Sequence, residues 1–384
     1  MKITRVRAIP LNIPIEFRAG AIRRDTSLSA CHVEIETDTG LVGYGFTAIT
    51  EEEVIGTIVN DIAAPALIGK DPLCTEALWD TLYWLMCPRG QTGYGMHALA
   101  AIDIALWDLK GKFLQQPIWK LLGGARPRVP LYATFGFGFL DEPALAESAK
   151  ACRELGFDHL KMVVGHNGMQ RRDEPRPLGD VIRDDARRVR IVREAAGDDA
   201  GLYIDANCSL DAYHAEKLAR KIMDYDIGFF EEPISQNNVL AMADLRRRTG
   251  IAIAAGQNEG LAFRFRDMLT AGAVDVVQPN VVITGGYTQA ARIAGMADAF
   301  GAGVANGGAF PLHNMHFHAG LANGGRVEWH LVAVEMMRQI YTGFPEPDNG
   351  WLTLPTTPGL GFEPRHDAIH ELAKRPSSRG TGKG

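Results

Sequence analysis

The chain has 384 residues, of which 46% are hydrophobic and 22% are charged, and its formal net charge is −6 at pH 7. That length and composition allow one large hydrophobic core and a smaller one. The acidic balance, without a basic stripe, argues against nucleic-acid binding. The start, MKITRVRAIP, has no apolar signal core, no apolar run reaches membrane-spanning length, and the five cysteines include no CxxC pair. We therefore expect a cytoplasmic protein with reduced thiols and no membrane contact.

The first 126 residues predict an α+β unit. Strand patterns occupy residues 2–13, 28–37 and 41–46. A polar loop at residues 14–27 separates the first two, and a turn at residues 38–40 separates the last two. Helical patterns follow at residues 51–68, 75–85 and 96–115. Because this arrangement does not share the repeat that comes after it, we predict a separate N-terminal domain over residues 1–126.

Residues 127–335 alternate between β-rich runs and amphipathic helical stretches. The eight β-rich runs lie at residues 129–135, 157–165, 201–207, 227–233, 251–257, 273–280, 302–308 and 326–331. Runs such as IAIAAG and AVDVVQP are apolar on both faces, which is typical of parallel strands covered by helices. An open doubly wound sheet would fit the same alternation, but its Gly-rich phosphate turn is missing. We therefore predict a closed parallel β/α barrel.

The end of the chain leaves the repeat. Residues 336–375 carry strand and turn signals at 350–354 and a short helical pattern at 366–374, and we expect this segment to pack back on the N-terminal domain. Residues 376–384 contain almost only Ser, Gly, Thr and basic residues, which predicts a disordered tail.

Six polar side chains stand where successive β-rich runs end. They are separated by 26, 26, 23, 26 and 22 residues and are Asp205, Glu231, Gln257, Asn280, Asn306 and Glu328. The carboxyl ends of barrel strands meet at one mouth, so this repeat predicts that the six groups share one site.

Several motifs resemble the mandelate racemase and muconate lactonizing group of the enolase superfamily. They are ALAAIDIALWDLKGKFLQQPIWKLLGG, KMVVG, IDAN, FFEEP and AVDVVQPN followed by TGGYTQA. The resemblance implies an N-terminal capping domain and a modified TIM barrel, (β/α)7β, completed by the C-terminal segment. It also implies removal of a proton α to a carboxylate, with Mg²⁺ stabilising the enediolate. Such a proton is weakly acidic because its loss adds a second negative charge to an anion, which a divalent cation relieves.

The resemblance assigns the magnesium ligands to Asp205, Glu231 and Gln257. Relatives carry an acidic residue at the third position, whereas here an amide replaces it. Carboxylate and amide oxygens are hard ligands that suit Mg²⁺. Glu259, two residues further on, is a rival third ligand if the strand end bulges.

The catalytic base is harder to assign. Relatives use the second lysine of a Lys-x-Lys pair, but here Lys161 is followed by Met162 and Val163, so Lys161 matches only the lysine that contacts the substrate carboxylate. Relatives also use a His–Asp pair on strands seven and six. The matching positions are Asn280 and, depending on the alignment, Asn306 or Gly308.

Three histidines near the expected mouth are the remaining candidates for the base. They are His313 and His316, in FPLHNMHFH, and His166, after strand two. A neutral imidazole is a competent base near pH 7. Glu328 matches an acid that hydrogen-bonds the enediolate oxygen, and burial would keep it protonated by raising its pKa.

Two polar segments predict the substrate class. Arg18 and Arg24 lie in the segment that matches the capping loop of relatives, and residues 166–185 form a long polar insert, with Arg171, Arg172 and Arg176, that could serve as a lid. The candidate substrate-binding residues are Arg18, Arg24, His166, Asn207, Asn280 and Asn306. Such a polar, arginine-rich surround favours a polyhydroxylated acid as the small-molecule carboxylate substrate.

We predict a dehydratase that converts a sugar acid, an aldonate or aldarate, into a 2-keto-3-deoxy acid, in a homo-oligomer. A racemase, epimerase or cycloisomerase is the second reading, disfavoured because proton transfer to and from one carbon usually needs two bases. A non-catalytic acid-binding barrel is the third, since neutral residues replace charged ones at Val163, Gln257 and Asn280.

Overall fold

The computed structural model describes residues 1–19, 22–86, 89–165 and 176–376. It begins with an antiparallel sheet of three strands in the order β1 (Ile3–Ala19), β2 (Ile22–Thr37) and β3 (Val42–Ala48). The polar loop predicted at residues 14–27 is wrong, because β1 and β2 continue as paired strands there, with Pro14 opposite Ser27. The polar side chains in this stretch therefore belong to paired strands, because cross-strand pairing outweighs the preference of polar residues for loops.

Helices pack on this sheet to complete the N-terminal unit. They are α1 (Glu52–Thr57), a π-helical segment (Ile58–Ala63), α2 (Ala64–Leu67), α3 (Thr75–Met86), α4 (Tyr94–Leu114) and α5 (Ile118–Leu121). Gly43 and Gly45 let α4 lie directly against β3, because a methyl group at either position would overlap a carbonyl oxygen of α4. Most of α4 is therefore buried, and it separates the sheet from the barrel.

Eight parallel strands form the barrel, as predicted. They are β4 (Arg128–Phe135), β5 (His159–Val163), β6 (Gly201–Asp205), β7 (Ile227–Glu231), β8 (Ile253–Ala255), β9 (Val276–Val277), β10 (Gly303–Val304) and β11 (Val327–His330). From β4 to β10 each strand pairs with the next one in the chain, and β11 pairs with β4, placing Val327 opposite Leu131. One backbone hydrogen bond of 2.9 Å, from Asn306 to Arg326, links the segments around β10 and β11.

Helices cover the outside of the strands. They are α6 (Glu142–Glu154), α7 (Leu178–Ala196), α8 (Ala212–Ile222), α9 (Val239–Thr249), α10 (Ala262–Thr270), α11 (Gly286–Ala299), α12 (Pro311–Gly320) and α13 (Leu331–Ile340), with 3-10 turns at Met223–Tyr225 and Ser235–Asn237. One sequence prediction needs correction here. The polar insert at residues 166–185 is helical from Leu178.

The C-terminal segment contacts both units. Its elements are β12 (Tyr341–Thr342), β13 (Trp351–Thr353), β14 (Glu363–Pro364) and α14 (His366–Leu372). β13 pairs antiparallel with the start of β4, and the Leu360 N–H donates to Asp108 Oδ1 on α4 at 2.8 Å. No helix in the described ranges is both long and apolar enough to cross a membrane. The disordered tail was predicted at residues 376–384, and all of it except Pro376 lies outside the described residues.

A buried carboxylate joins the N-terminal unit to the barrel. Asp103 of α4 accepts hydrogen bonds from the Thr288 backbone N–H at 3.0 Å and from its hydroxyl at 2.6 Å. Gly286 makes this approach possible, because its φ is +84° and a methyl group there would overlap the Asp103 carboxylate. The contact fixes α4 over the N-terminal end of α11.

Asp103→Ala should therefore weaken this junction. Two hydrogen bonds are lost and the Thr288 N–H is left without its partner, so we expect the free energy of unfolding to fall by about 1–3 kcal/mol in urea titrations. The control is Asp80→Ala, at an exposed position of α3, which should change stability by no more than about 0.5 kcal/mol. Equal stability of the two variants would contradict this role for Asp103.

Candidate active site at the barrel mouth

Four charged side chains meet at the ends of the barrel strands. Lys161 Nζ lies 2.8 Å from Glu231 Oε2, 3.1 Å from Glu328 Oε1 and 3.3 Å from Asp205 Oδ2. All four side chains are buried. Three carboxylates around one ammonium group leave an excess of negative charge, which is costly in a site removed from water.

Lys161 remains protonated in this environment. Burial disfavours its charged form, but Glu231, Glu328 and Asp205 outweigh burial and hold the pKa of Lys161 well above its usual value. An ammonium group that keeps its proton cannot accept another one. Within this cluster Lys161 can therefore supply positive charge or a hydrogen bond.

Glu328 is a carboxylate that accepts hydrogen bonds. Besides Lys161, its donors are the Thr134 hydroxyl at 2.6 Å and the Ala309 N–H at 2.7 Å. Burial alone would raise the pKa of Glu328, but Lys161 and these donors hold it below its usual value. The prediction that Glu328 stays protonated is therefore wrong. Ala309 has φ +68°, and the Glu328 contact holds it in this strained conformation.

A cavity of about 150 Å³ opens beside this cluster. Its polar lining includes Asp205, Asn207, Gln257, Glu328, His97 and His330, and its apolar lining includes Ile49, Val163 and Ile283. Asp205 and Glu328 join the charged cluster to the cavity. A small polar acid would be surrounded here by charge on one side and by amide and imidazole groups on the others.

Gln257, and not Glu259, lies with the acidic cluster. Its Nε2 is 3.3 Å from Asp205 Oδ2 and 3.1 Å from Glu232 Oε2. Glu259 instead forms an ion pair with Arg264 at 2.8 Å and is absent from the cavity lining. Glu232 is fully buried and accepts this hydrogen bond from the Gln257 amide.

The donor set fits a hard divalent cation. Glu231 Oε1 is buried and has no hydrogen-bond partner within the part of the chain that the structure describes. Gly307 faces it, and a methyl group there would lie 3.0 Å from that oxygen. Within the described residues no three His, Cys, Asp or Glu side chains form a group that could hold a metal ion by themselves. A half-turn of the Gln257 amide would present its oxygen beside Asp205, and an amide oxygen is a hard donor that suits such a cation.

Asn280 has no hydrogen-bonding capacity left for a substrate. Its Nδ2 donates to the Gly307 and Gly308 carbonyls at 2.7 and 2.9 Å, and its Oδ1 accepts from Val282 N and Asn314 Nδ2 at 3.1 and 2.9 Å. These four bonds use both donors and both lone pairs of the amide. The structure therefore corrects the predicted substrate contact, and Asn280 braces the loop after β10 instead.

Asn306 has a similar structural task. It is fully buried, its Oδ1 accepts from the Glu328 backbone N–H at 3.1 Å, and its Nδ2 donates to the Gly307 carbonyl at 3.0 Å. It is absent from the cavity lining, unlike Asn207, whose Oδ1 lies 3.3 Å from Gln257 Nε2. The predicted substrate contact of Asn306 is therefore also corrected, whereas Asn207 reaches the cavity.

His313 and His316 lie in the hydrophobic interior, away from the cavity. His313 stacks on Phe46 with ring centroids 5.1 Å apart, and neither ring nitrogen has a partner within the described residues. His316 Nε2 donates to the Leu360 carbonyl at 2.9 Å. Burial lowers the pKa of His313 to about 3 and that of His316 to about 4. The prediction that one of them is the base is wrong, because α12 turns both rings away from the mouth.

The predicted arginine contacts are only partly described. Arg24 is exposed, and its guanidinium lies 4.7 Å from the Phe139 ring centroid. Phe139 stacks on Phe137, whose ring centroid is 5.2 Å from that of His330 at the cavity. The Arg18 side chain, His166 and residues 166–175 of the predicted lid lie outside the described residues.

Two cavity histidines were missed from the sequence. His330 follows Glu328 by two positions on β11, and the two-residue period of a strand places both on one face. That signal was available. His97 lies in the first turn of α4, within a pattern that indicates only a buried helix, and it reaches the cavity because the N-terminal unit docks on the barrel.

The fold and site define a capped β/α barrel of the enolase type. Residues 2–123 match the family domain described as the mandelate racemase/muconate lactonizing enzyme N-terminal domain, and residues 144–368 match the enolase C-terminal domain-like family. The chain belongs to the mandelate racemase and muconate lactonizing enzyme group of the enolase superfamily, as the sequence motifs predicted.

Relatives of known activity share nearly the whole chain. Arabinonate dehydratase of Saccharolobus solfataricus is 30% identical over 88% of this chain and 89% of its own length. The 3,6-anhydro-alpha-L-galactonate cycloisomerase of Streptomyces coelicolor is 32% identical over 89% and 90%. A crystal structure of a racemase from Streptomyces coelicolor A3(2), with bound magnesium, is 27% identical and has a TM-score of 0.86, covering 96% of this chain and 99% of that one.

Lys161→Met should destabilise the protein strongly. The substitution keeps the apolar stem but leaves three buried carboxylates without a countercharge, so we expect a loss of about 3–5 kcal/mol in urea unfolding without added metal. The matched control is Lys150→Met, at an exposed position of α6, which should change stability by no more than about 0.5 kcal/mol. A loss below about 1 kcal/mol for Lys161→Met would show that the cluster does not depend on the ammonium group.

Proposed function

We propose that the protein is a magnesium-dependent dehydratase that eliminates water from an aldonate or aldarate to give a 2-keto-3-deoxy acid. One observation carries this proposal. The mouth keeps Lys161, Asp205, Glu231 and Glu328 in contact, while Val163 and, depending on the alignment, Asn306 or Gly308 stand at the positions where the family resemblance places the bases. Racemisation needs proton transfer on both faces of one carbon, whereas elimination of water can proceed with one base.

Asp205, Glu231 and Gln257 would hold the magnesium ion. When bound, Mg²⁺ would stabilise the negative charge that loss of the α proton adds to the substrate carboxylate. The unpartnered Glu231 Oε1 supports this assignment, because a buried carboxylate oxygen without a partner is costly unless a cation or donor binds it.

Lys161 and the cavity amides would orient the substrate. Lys161 keeps its proton and lies between Asp205 and Glu328, so it would attract the carboxylate end of the acid. Asn207 and Asn258 line the same cavity and carry amide groups suited to hydroxyls. The dehydratase relative, whose printed substrate is arabinonate, supports a polyhydroxylated acid as the substrate class.

A cycloisomerase is the second candidate. It is favoured by the relative that acts on 3,6-anhydro-alpha-L-galactonate, which is as similar to this chain as the dehydratase is. Both reactions begin with removal of a proton α to the carboxylate. They differ in whether water is lost, so the product decides between them.

The test is turnover of a panel of aldonates and aldarates with Mg²⁺, followed by detection of 2-keto-3-deoxy acids as semicarbazones. Asp205→Asn should lower kcat/KM by about 100-fold or more and weaken magnesium binding in calorimetry, because a charged oxygen ligand is lost. Asp224→Asn, at an exposed position, is the control and should leave both unchanged.

Other products would overturn the dehydratase proposal. An isomer of the same mass as the substrate would favour the cycloisomerase. Tight binding of an acid without any product or exchange of its α proton would favour a non-catalytic barrel. Full activity of Asp205→Asn would contradict the assignment of the metal ligands.

A further inference from the structure

Two histidines line the cavity, and their Nδ1 atoms are engaged in opposite ways. His97 comes from α4 of the N-terminal unit, and His330 ends β11 of the barrel. A neutral imidazole carries one proton, so the bond made by Nδ1 decides whether Nε2 is a donor or an acceptor. The protein surroundings of each ring therefore determine what it offers to a ligand.

Thr47 fixes the tautomer of His97. The Thr47 hydroxyl donates its only proton to the Val282 carbonyl at 2.7 Å. The same oxygen lies 2.7 Å from His97 Nδ1. Because the hydroxyl has no second proton, it can only accept the hydrogen bond from His97, so Nδ1 carries the proton. The lone pair of the ring is left on Nε2, and no hydrogen bond to Nε2 forms within the described residues.

His330 has the opposite tautomer. Its Nδ1 accepts a hydrogen bond from the Ala333 N–H at 3.2 Å, as the cap of α13. The proton of the neutral ring therefore lies on Nε2, where it is a donor. Protonating Nδ1 would break the cap. Desolvation also lowers the pKa of His330 despite the nearby Glu328 carboxylate.

We propose that His97 is the general base of the reaction, that Thr47 positions it by fixing its tautomer, and that His330 donates a hydrogen bond to a substrate oxygen. The inference rests on the proposed function, since it supplies the base for removal of the α proton. It also assigns the N-terminal unit a chemical part in the site, because His97 and Thr47 both belong to that unit.

The proton and electron pairs balance in the proposed step. The C2–H bond breaks, its electron pair enters the enediolate, and its proton binds His97 Nε2 to give an imidazolium. The C3–O bond then breaks while the enediolate pair forms the C2=C3 double bond. The leaving hydroxide takes the proton from His97 and departs as water, which returns the ring to its neutral form. The enol left behind tautomerises to the 2-keto acid.

The environment of His97 keeps its ring neutral. The ring is buried, and burial lowers its pKa to about 4, which leaves the Nε2 lone pair free at neutral pH but makes the imidazole a weak base before substrate binds. A substrate carboxylate in the cavity favours the imidazolium and so strengthens the base when substrate is bound. Val163 and Ile283 supply an apolar wall of the same cavity.

The first experiment compares His97→Gln with wild type in heavy water, with Mg²⁺ and an acid that turns over. We expect exchange of the C2 proton and kcat to fall by about 100-fold or more, while KM changes by less than about threefold. The control is His370→Gln, an exposed histidine of α14, which should behave as wild type. Retained exchange and kcat, or a loss confined to KM, would overturn the inference.

A second pair of variants tests the positioning role and does not remove the imidazole. Thr47→Val keeps the shape but removes the hydroxyl, and kcat should fall about tenfold at unchanged KM. Thr47→Ser keeps the hydroxyl and should restore kcat to within about threefold of wild type. Equal kcat for the two variants would overturn the role of Thr47.

Nuclear magnetic resonance of ¹⁵N-histidine-labelled protein reads the tautomers without turnover. His97, assigned from the spectrum of His97→Gln, should carry its proton on Nδ1, and this preference should be lost in Thr47→Val. A proton on Nε2 of His97 would overturn the inference.

The two proposals fail in different ways. If C2-proton exchange is lost in His97→Gln but the wild type never releases water, His97 is retained as the base and the dehydratase proposal is rejected. A 2-keto-3-deoxy acid produced equally by wild type and His97→Gln would retain the dehydratase and reject His97.

Discussion

One ammonium group holds three carboxylates together where the barrel strands end, and the rest of the site is arranged around that contact. Lys161 is within 3.3 Å of Asp205, Glu231 and Glu328, which come from three different strands. Parallel strands with their ends in register bring such groups together automatically, but the charges would repel without a buried cation. The fold therefore supplies the geometry, and Lys161 makes the acidic cluster tolerable before any metal binds.

The sequence predicted the features that depend on periodicity. The alternation of β-rich and helical runs located all eight strands, and a repeat of about 25 residues located the strand-end groups Asp205, Glu231 and Glu328, because side-chain direction follows strand position. It did not reveal which histidine faces the cavity. His313 and His316 are close in sequence to the mouth, but α12 turns them inward, and no local pattern distinguishes the two orientations. The protonation of Glu328 likewise depends on Lys161 and Thr134, which come from other strands.

His97 shows why the N-terminal unit has to be considered with the barrel. From the sequence it belongs to a buried helix, and it becomes a cavity residue only because α4 packs across the mouth. Two residues of this unit bind the barrel beside α11. Asp103 accepts a hydrogen bond from Thr288 at the start of α11, and Thr47 donates one to Val282 in the segment between β9 and α11. Docking of the two units therefore determines both the stability of the junction and the hydrogen bonding of a cavity imidazole.

The loss of the usual base pair is difficult to reverse. Asn306 and Asn280 use their amides to hold the loop at residues 307–309, and Asn280 is saturated with four hydrogen bonds. Returning a histidine and an aspartate to these positions would remove donors from buried carbonyls and an acceptor from the Glu328 backbone N–H. Placing such a pair here would require the loop to be rebuilt at the same time, so the two amides exclude the pair from this backbone.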